Sequence, residues 1–315
     1  MKKLVSQKPT RCVSSVEATK RKEIKMRSAV KKVIFTFSLF GSIAAQAISV
    51  GKVDFEKKSV TGIEVELASS ESNNVSVCGA HVGGLWSLTR SDITGIQVGG
   101  LMTSVDNLYG AQIGLMWAGD VLVKDIVESN NVFGVQIGGY GCAAVGMSGV
   151  QIGGFGPCCL NEMNGVQIGG FGPCCTNEVN GVQIGGLGPL CENEVNGIQI
   201  GGLGSGCWNK MNGIQIGGWG SLCTNEVNGI QIGGICCGAG KMRGVQIAGL
   251  FSVGDKISGL QIGAINYFIK DVSGVQIGVF NYAGEKSDNC LQIGVVNWLS
   301  ANETMKIVPF VNMNF

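Results

Sequence analysis

The chain has 315 residues, 52 of them glycine and five proline, with 45% hydrophobic and 14% charged side chains. Glycine far above the usual roughly 7%, without a G-X-Y period, excludes collagen, and the apolar content excludes a disordered chain. A single histidine leaves little room for general-base or metal chemistry. The net charge of +1 divides into a basic first 47 residues (11 Lys/Arg against Glu17 and Glu23) and an acidic remainder with no basic face for nucleic acid.

From Met26 the chain reads MRSAVKKVIFTFSLFGSIAAQAIS. Arg27, Lys31 and Lys32 precede an apolar stretch, Val33 to Ala45, and Ala45-Gln46-Ala47 has the small-x-small form of a cleavage site. Residues 1–47 therefore read as a secretory signal peptide with a long basic leader, Met26 being an alternative start. The apolar stretch falls short of the roughly 20 residues that span a bilayer. Residues 48–61 follow as an N-terminal cap. The expected compartment is outside the cytoplasm, with secreted, periplasmic, cell-surface and outer-membrane locations all open.

Residues 62–298 are a repeat array. Its core is Gly-(Val/Ile)-Gln-Ile-Gly-Gly, with glutamine at 97, 112, 136, 151, 167, 183, 199, 215, 231, 246, 261, 276 and 292. Successive gaps are 15 or 16 residues, except for one of 24 that holds an insertion, Asp120 to Asn130, expected to bulge as one loop. His81 stands 16 residues before Gln97 in a degenerate copy, and Gly62 opens another. Numbered from the glutamine, apolar residues recur at −4, −1, +1 and +4. Placing all four inside breaks strand alternation at the Asn-Gly and Gly-Gly pairs, which then read as corners. Glutamine then faces outward, and Gln199→Thr is a mild change.

The fold that follows is all-β, a parallel β-solenoid of about fifteen coils of 15–16 residues and roughly 70 Å in length. Gly/Cys-rich coils fill 134–243 and Asn-aromatic coils 244–298. Residues 299–315 form a C-terminal capping strand. An outer-membrane β-barrel is the alternative, because the chain ends on Phe315 with Ile307, Val311 and Met313 alternating before it. Barrel strands, however, need about 9–11 residues of unbroken alternation.

Three columns are candidate sites. Cys159, Cys175, Cys191, Cys207 and Cys223 stand eight residues after successive glutamines. Paired strands put such residues about 4.8 Å apart, within the Cα range of a disulfide, so bridges such as Cys175–Cys191 and Cys207–Cys223 are expected. Inert packing and metal binding are the competing readings. Gln167, Gln183, Gln199, Gln215 and Gln231 form the expected outward ladder, either a self-associating face or plain amide stacking. Glu162, Glu178, Glu194, Lys210 and Glu226 form a charged column, either a solvated edge or a calcium bridge. The pairs Asn266-Tyr267, Asn281-Tyr282 and Asn297-Trp298 suit a membrane interface, a sugar-stacking surface or ladder packing.

The glycines recur in every coil, so their Gly-x-Gly matches follow from the period and do not mark a phosphate loop. The sequence points to no enzyme, no cofactor and no metal. The Gly-Val-Gln-Ile-Gly-x-x-Asn pattern, clearest at 274–281, together with the ending Pro309-Phe310-Val311-Asn312-Met313-Asn314-Phe315, resembles a bacterial family of exported surface-repeat proteins first noticed in spirochaetes. The resemblance covers about residues 60–315, departs in the Cys-rich coils, and implies a surface location without an established activity. Similarity to the head repeats of trimeric adhesins is weaker. The expected function is a non-enzymatic exported repeat protein with a structural or adhesive role. Its partner is unknown; the cell envelope, a host surface and self-association are the candidates. The competing expectation is a soluble ligand-binding solenoid.

Overall fold

The computed structural model describes residues 47–54, 59–66, 69–73, 76–119, 131–284 and 286–314. The expected leader, apart from Ala47, and the loop at 120–130 lie outside the described residues. Every regular element among those described is a β-strand, and the chain winds a parallel β-solenoid of about 13 turns.

A turn has two strands, as in Glu194–Gly201 and Gly204–Cys207. Each pairs with its counterparts one coil away and in register. Gln199 lies between Gln183 and Gln215, and Cys207 between Cys191 and Cys223. The long strands stack into one ladder and the short strands into another, continuous around the corner in strands such as Gly156–Gly169, and the core lies between them. Pairing continues unshifted across the insertion, where Gln136 stands beside Gln112. Parallel neighbours throughout the array rule out the barrel alternative, whose up-and-down strands run antiparallel.

The ends differ from the body. Ala47–Asp54 runs antiparallel to Ser59–Glu66 at the N-terminal end, and Ile307–Asn314 runs antiparallel to Cys290–Leu299 at the other. A parallel edge strand offers unpaired N–H and C=O groups to any other strand. A reversed strand at each end occupies that edge.

The long strand keeps its alternation, which corrects the sequence-based faces. Position −4 (Met163, Val179, Val195, Met211, Val227) and the glutamines are fully buried, and the glycines at +2 also face in. These positions share one parity with the glycine at −2. The Val and Ile at −1 and +1 therefore lie on the outer face. Only the assumption that they were core made alternation seem to break at Asn-Gly. The −2 glycine is required for another reason. At Gly197 φ is +145°, and a Cβ there would lie 2.0 Å from the carbonyl oxygen of Gly181 in the coil below.

Candidate functional site

The glutamine column, expected to face outward, is the polar spine of the core. Gln167, Gln183, Gln199, Gln215 and Gln231 are all 0% exposed. Gln183 Nε2 donates to Gln167 Oε1 at 2.8 Å, Gln199 to Gln183 at 3.0 Å, and Gln215 to Gln199 at 2.9 Å. The second N–H crosses the core to the short strand of the same turn, as from Gln199 to Gly206 O at 3.0 Å. Each of these amides thus satisfies its own polar groups with copies of itself and one carbonyl, which removes the penalty that normally keeps glutamine outside. His81 occupies the same column and is likewise buried, not outward-facing. Its Nδ1 lies 3.0 Å from Ser87 Oγ and 2.9 Å from Thr89 Oγ1, and burial lowers its pKa to about 4.

The cysteine column lines the short-strand side of the same core. Cys159, Cys175, Cys191, Cys207 and Cys223 are buried free thiols, so the expected Cys175–Cys191 and Cys207–Cys223 bridges are not formed. Each Sγ turns to a backbone carbonyl three residues on, from Cys159 to Glu162 O at 3.2 Å and from Cys207 to Lys210 O at 3.1 Å. Small thiols fill space beside the Met/Val column that a larger side chain would overpack. Elsewhere in the core, burial pushes the thiols of Cys237 and Cys290 up to about 12.

Much of what remains outside is apolar. The −1 and +1 columns cover half of the long-strand face, and the +4 column follows at the next corner. Phe171 is 50% exposed and Trp219 64% exposed. Aromatic rings stack along this edge: Tyr140 on Phe155 with centroids 5.0 Å apart, and Phe155 on Phe171 at 4.2 Å. This surface went unseen in the sequence because its residues had been assigned to the core.

Polar ladders fill the other half of that face. Asn180 Nδ2 donates to Asn164 Oδ1 and Asn196 to Asn180, both at 3.0 Å. The acidic column beside them is partnered: Asn196 and Asn212 donate to Glu178 and Glu194, Lys210 Nζ lies 3.3 Å from Glu194, and Arg243 pairs with Glu226. In the C-terminal coils the Asn-aromatic pairs divide between the faces. Asn266, Asn281 and Asn297 are buried and bonded to one another at 2.7 Å. Tyr267 stacks outside on Tyr282 at 4.6 Å, and Trp298 meets Tyr282 edge-on.

Among the described residues no three His, Cys, Asp or Glu side chains are placed to hold one metal ion. The arrangement presents long, regular outward columns. The chain matches no family model, no curated protein and no solved structure.

Proposed function

We propose that the protein is an exported, non-enzymatic repeat protein with a structural and adhesive role, whose outward apolar columns hold solenoids together side by side. The observation that carries this reading is the unbroken run of exposed apolar side chains at +4, from Met116 and Tyr140 through Trp219 to Ile265. Soluble proteins rarely leave an apolar patch of more than a few hundred Å² uncovered. About 13 turns at roughly 4.8 Å, by about 15 Å from position −1 to +4, make a face of roughly 900 Å². Two such faces together bury about 1,800 Å², within the range of a stable interface. Ridges repeating at the strand spacing are matched over that length by ridges of the same period, which a second copy provides. The signal-peptide pattern of residues 1–47 supports export, and the resemblance to surface-repeat proteins supports the location.

Sedimentation of the wild-type chain and of Phe155→Ser/Phe171→Ser checks the contact. The wild type is expected to associate at micromolar concentration and the variant to remain monomeric with an unchanged Tm. A monomeric wild type, or a variant that associates equally well, removes the lateral-contact reading. Fractionation that leaves the chain in the cytoplasm removes export. The second reading, a soluble ligand-binding module, is favoured by the Tyr267–Tyr282–Trp298 stack, since aromatic faces receive sugar rings. Retention on a carbohydrate matrix that is lost in Tyr282→Ala would promote it over the first.

A further inference from the structure

The geometry points to Cys158 and Cys174 as a redox-closable pair that forms a disulfide between adjacent coils by exchange with a disulfide oxidant. Unlike the core column one residue later, these two thiols lie on the outer side of the short strands and are only half-buried. They are register partners in parallel strands. Paired strands separate Cα atoms by about 4.8 Å, inside the roughly 4.4–6.8 Å that a disulfide spans. The two Sγ atoms lie 2.8 Å apart, in direct contact between the coils. No third thiol competes along the column, because the next residues on either side are Ala143 and Leu190.

The contact lets either thiol begin the exchange. One of the two, as thiolate, attacks one sulfur of the oxidant, forming a mixed disulfide and expelling the other sulfur as a thiolate. The second thiol then loses its proton to solvent and attacks the protein sulfur of the mixed disulfide, forming the intramolecular bond and releasing the second thiolate. Two protein thiols are oxidised by two electrons, and one oxidant disulfide is reduced to two thiols. The core column is excluded from this chemistry by burial and by its carbonyl hydrogen bonds.

The folded full-length chain, equilibrated with oxidised glutathione and then alkylated, tests the pair. Cleavage after Glu162 and Glu178 places Cys158/Cys159 and Cys174/Cys175 on separate peptides, and tandem mass spectrometry assigns the bonded sulfurs. One bridge, Cys158–Cys174, is expected, opened again by dithiothreitol, with a Tm about 5 °C higher when closed. Cys174→Ser is expected to trap glutathione on Cys158, and Cys158→Ser to trap it on Cys174, because each variant lacks the thiol that would resolve the mixed disulfide. Full alkylation of both thiols after oxidation overturns the proposal, as does a bridge through Cys159 or Cys175. Cys191→Ser, a change in the core column, leaves the bridge intact if the outer pair is independent of it.

Discussion

Gly197 and Gln199 are two residues apart and fail for different reasons when replaced. Valine at 197 would have to adopt φ +145° with its Cβ 2.0 Å from Gly181 O, a contact with backbone that cannot swing aside. A cost of about 3 kcal/mol or more is expected. Threonine at 199 removes two donors and one acceptor from the ladder, leaving Gln183 Oε1, Gln215 Nε2 and Gly206 O each short of a partner. Unsatisfied buried groups cost about 1–3 kcal/mol each, so the change costs about 3 kcal/mol and is far from mild. Denaturant unfolding of the two variants checks both values. A loss below about 1 kcal/mol for Gln199→Thr would place the glutamine outside after all. His81 gives the column a pH dependence. Its folded pKa of about 4 lies below the unfolded value near 6.5, so on acidification the unfolded chain takes up the proton first. Stability is full above about pH 6.5, falls as pH drops to about 4, and is level below, a loss of about 3 kcal/mol. The difference in pH profile between wild type and His81→Gln isolates that component. Parallel profiles would show that the ring takes up its proton as readily in the folded protein.

At the scale of the coil, the period was legible and the faces were not. Glutamines spaced mostly 15 or 16 apart, with glycine two before every one but Gln292, led directly to stacked coils, and the Gly62 to Gly274 column does stack. Reading the faces failed on one premise, that Val and Ile must be inside and Gln outside. Hydrophobicity predicts burial only statistically, and exposed apolar residues are common. The amide ladder that overturns it exists only between coils, so no single coil carries the signal. A clue was nonetheless present: −4, 0 and +2 share one parity, and alternation needed no break once glutamine was turned inward. The cysteine column was found by spacing and correctly placed as one ladder. Its chemistry was misread because register that brings Cα atoms within disulfide range does not by itself form the bond, and the buried thiols stay free and turn to backbone carbonyls. The apolar contact surface could not be found while its residues were counted as core.

For the molecule as a whole, the reversed end strands carry the next prediction. Removing Ile307–Asn314 uncovers the strand Cys290–Leu299, whose backbone then lacks a partner, and leaves Gln292 Oε1, already without a hydrogen-bond donor, nearer to solvent. The truncated chain is expected to associate through its end and grow into filaments, seen by light scattering and electron microscopy. A truncated chain that stays the size of the wild type would show that the reversed strand does not guard the edge. Among the described residues the body of the stack has no feature of its own that stops it, since each coil pairs with one on either side. Among them, termination is written in the two reversed strands and length in the number of copies between them. The chain is therefore a ruler: gaining or losing one unit of 16 residues changes its reach by about 4.8 Å while every outward column keeps its spacing.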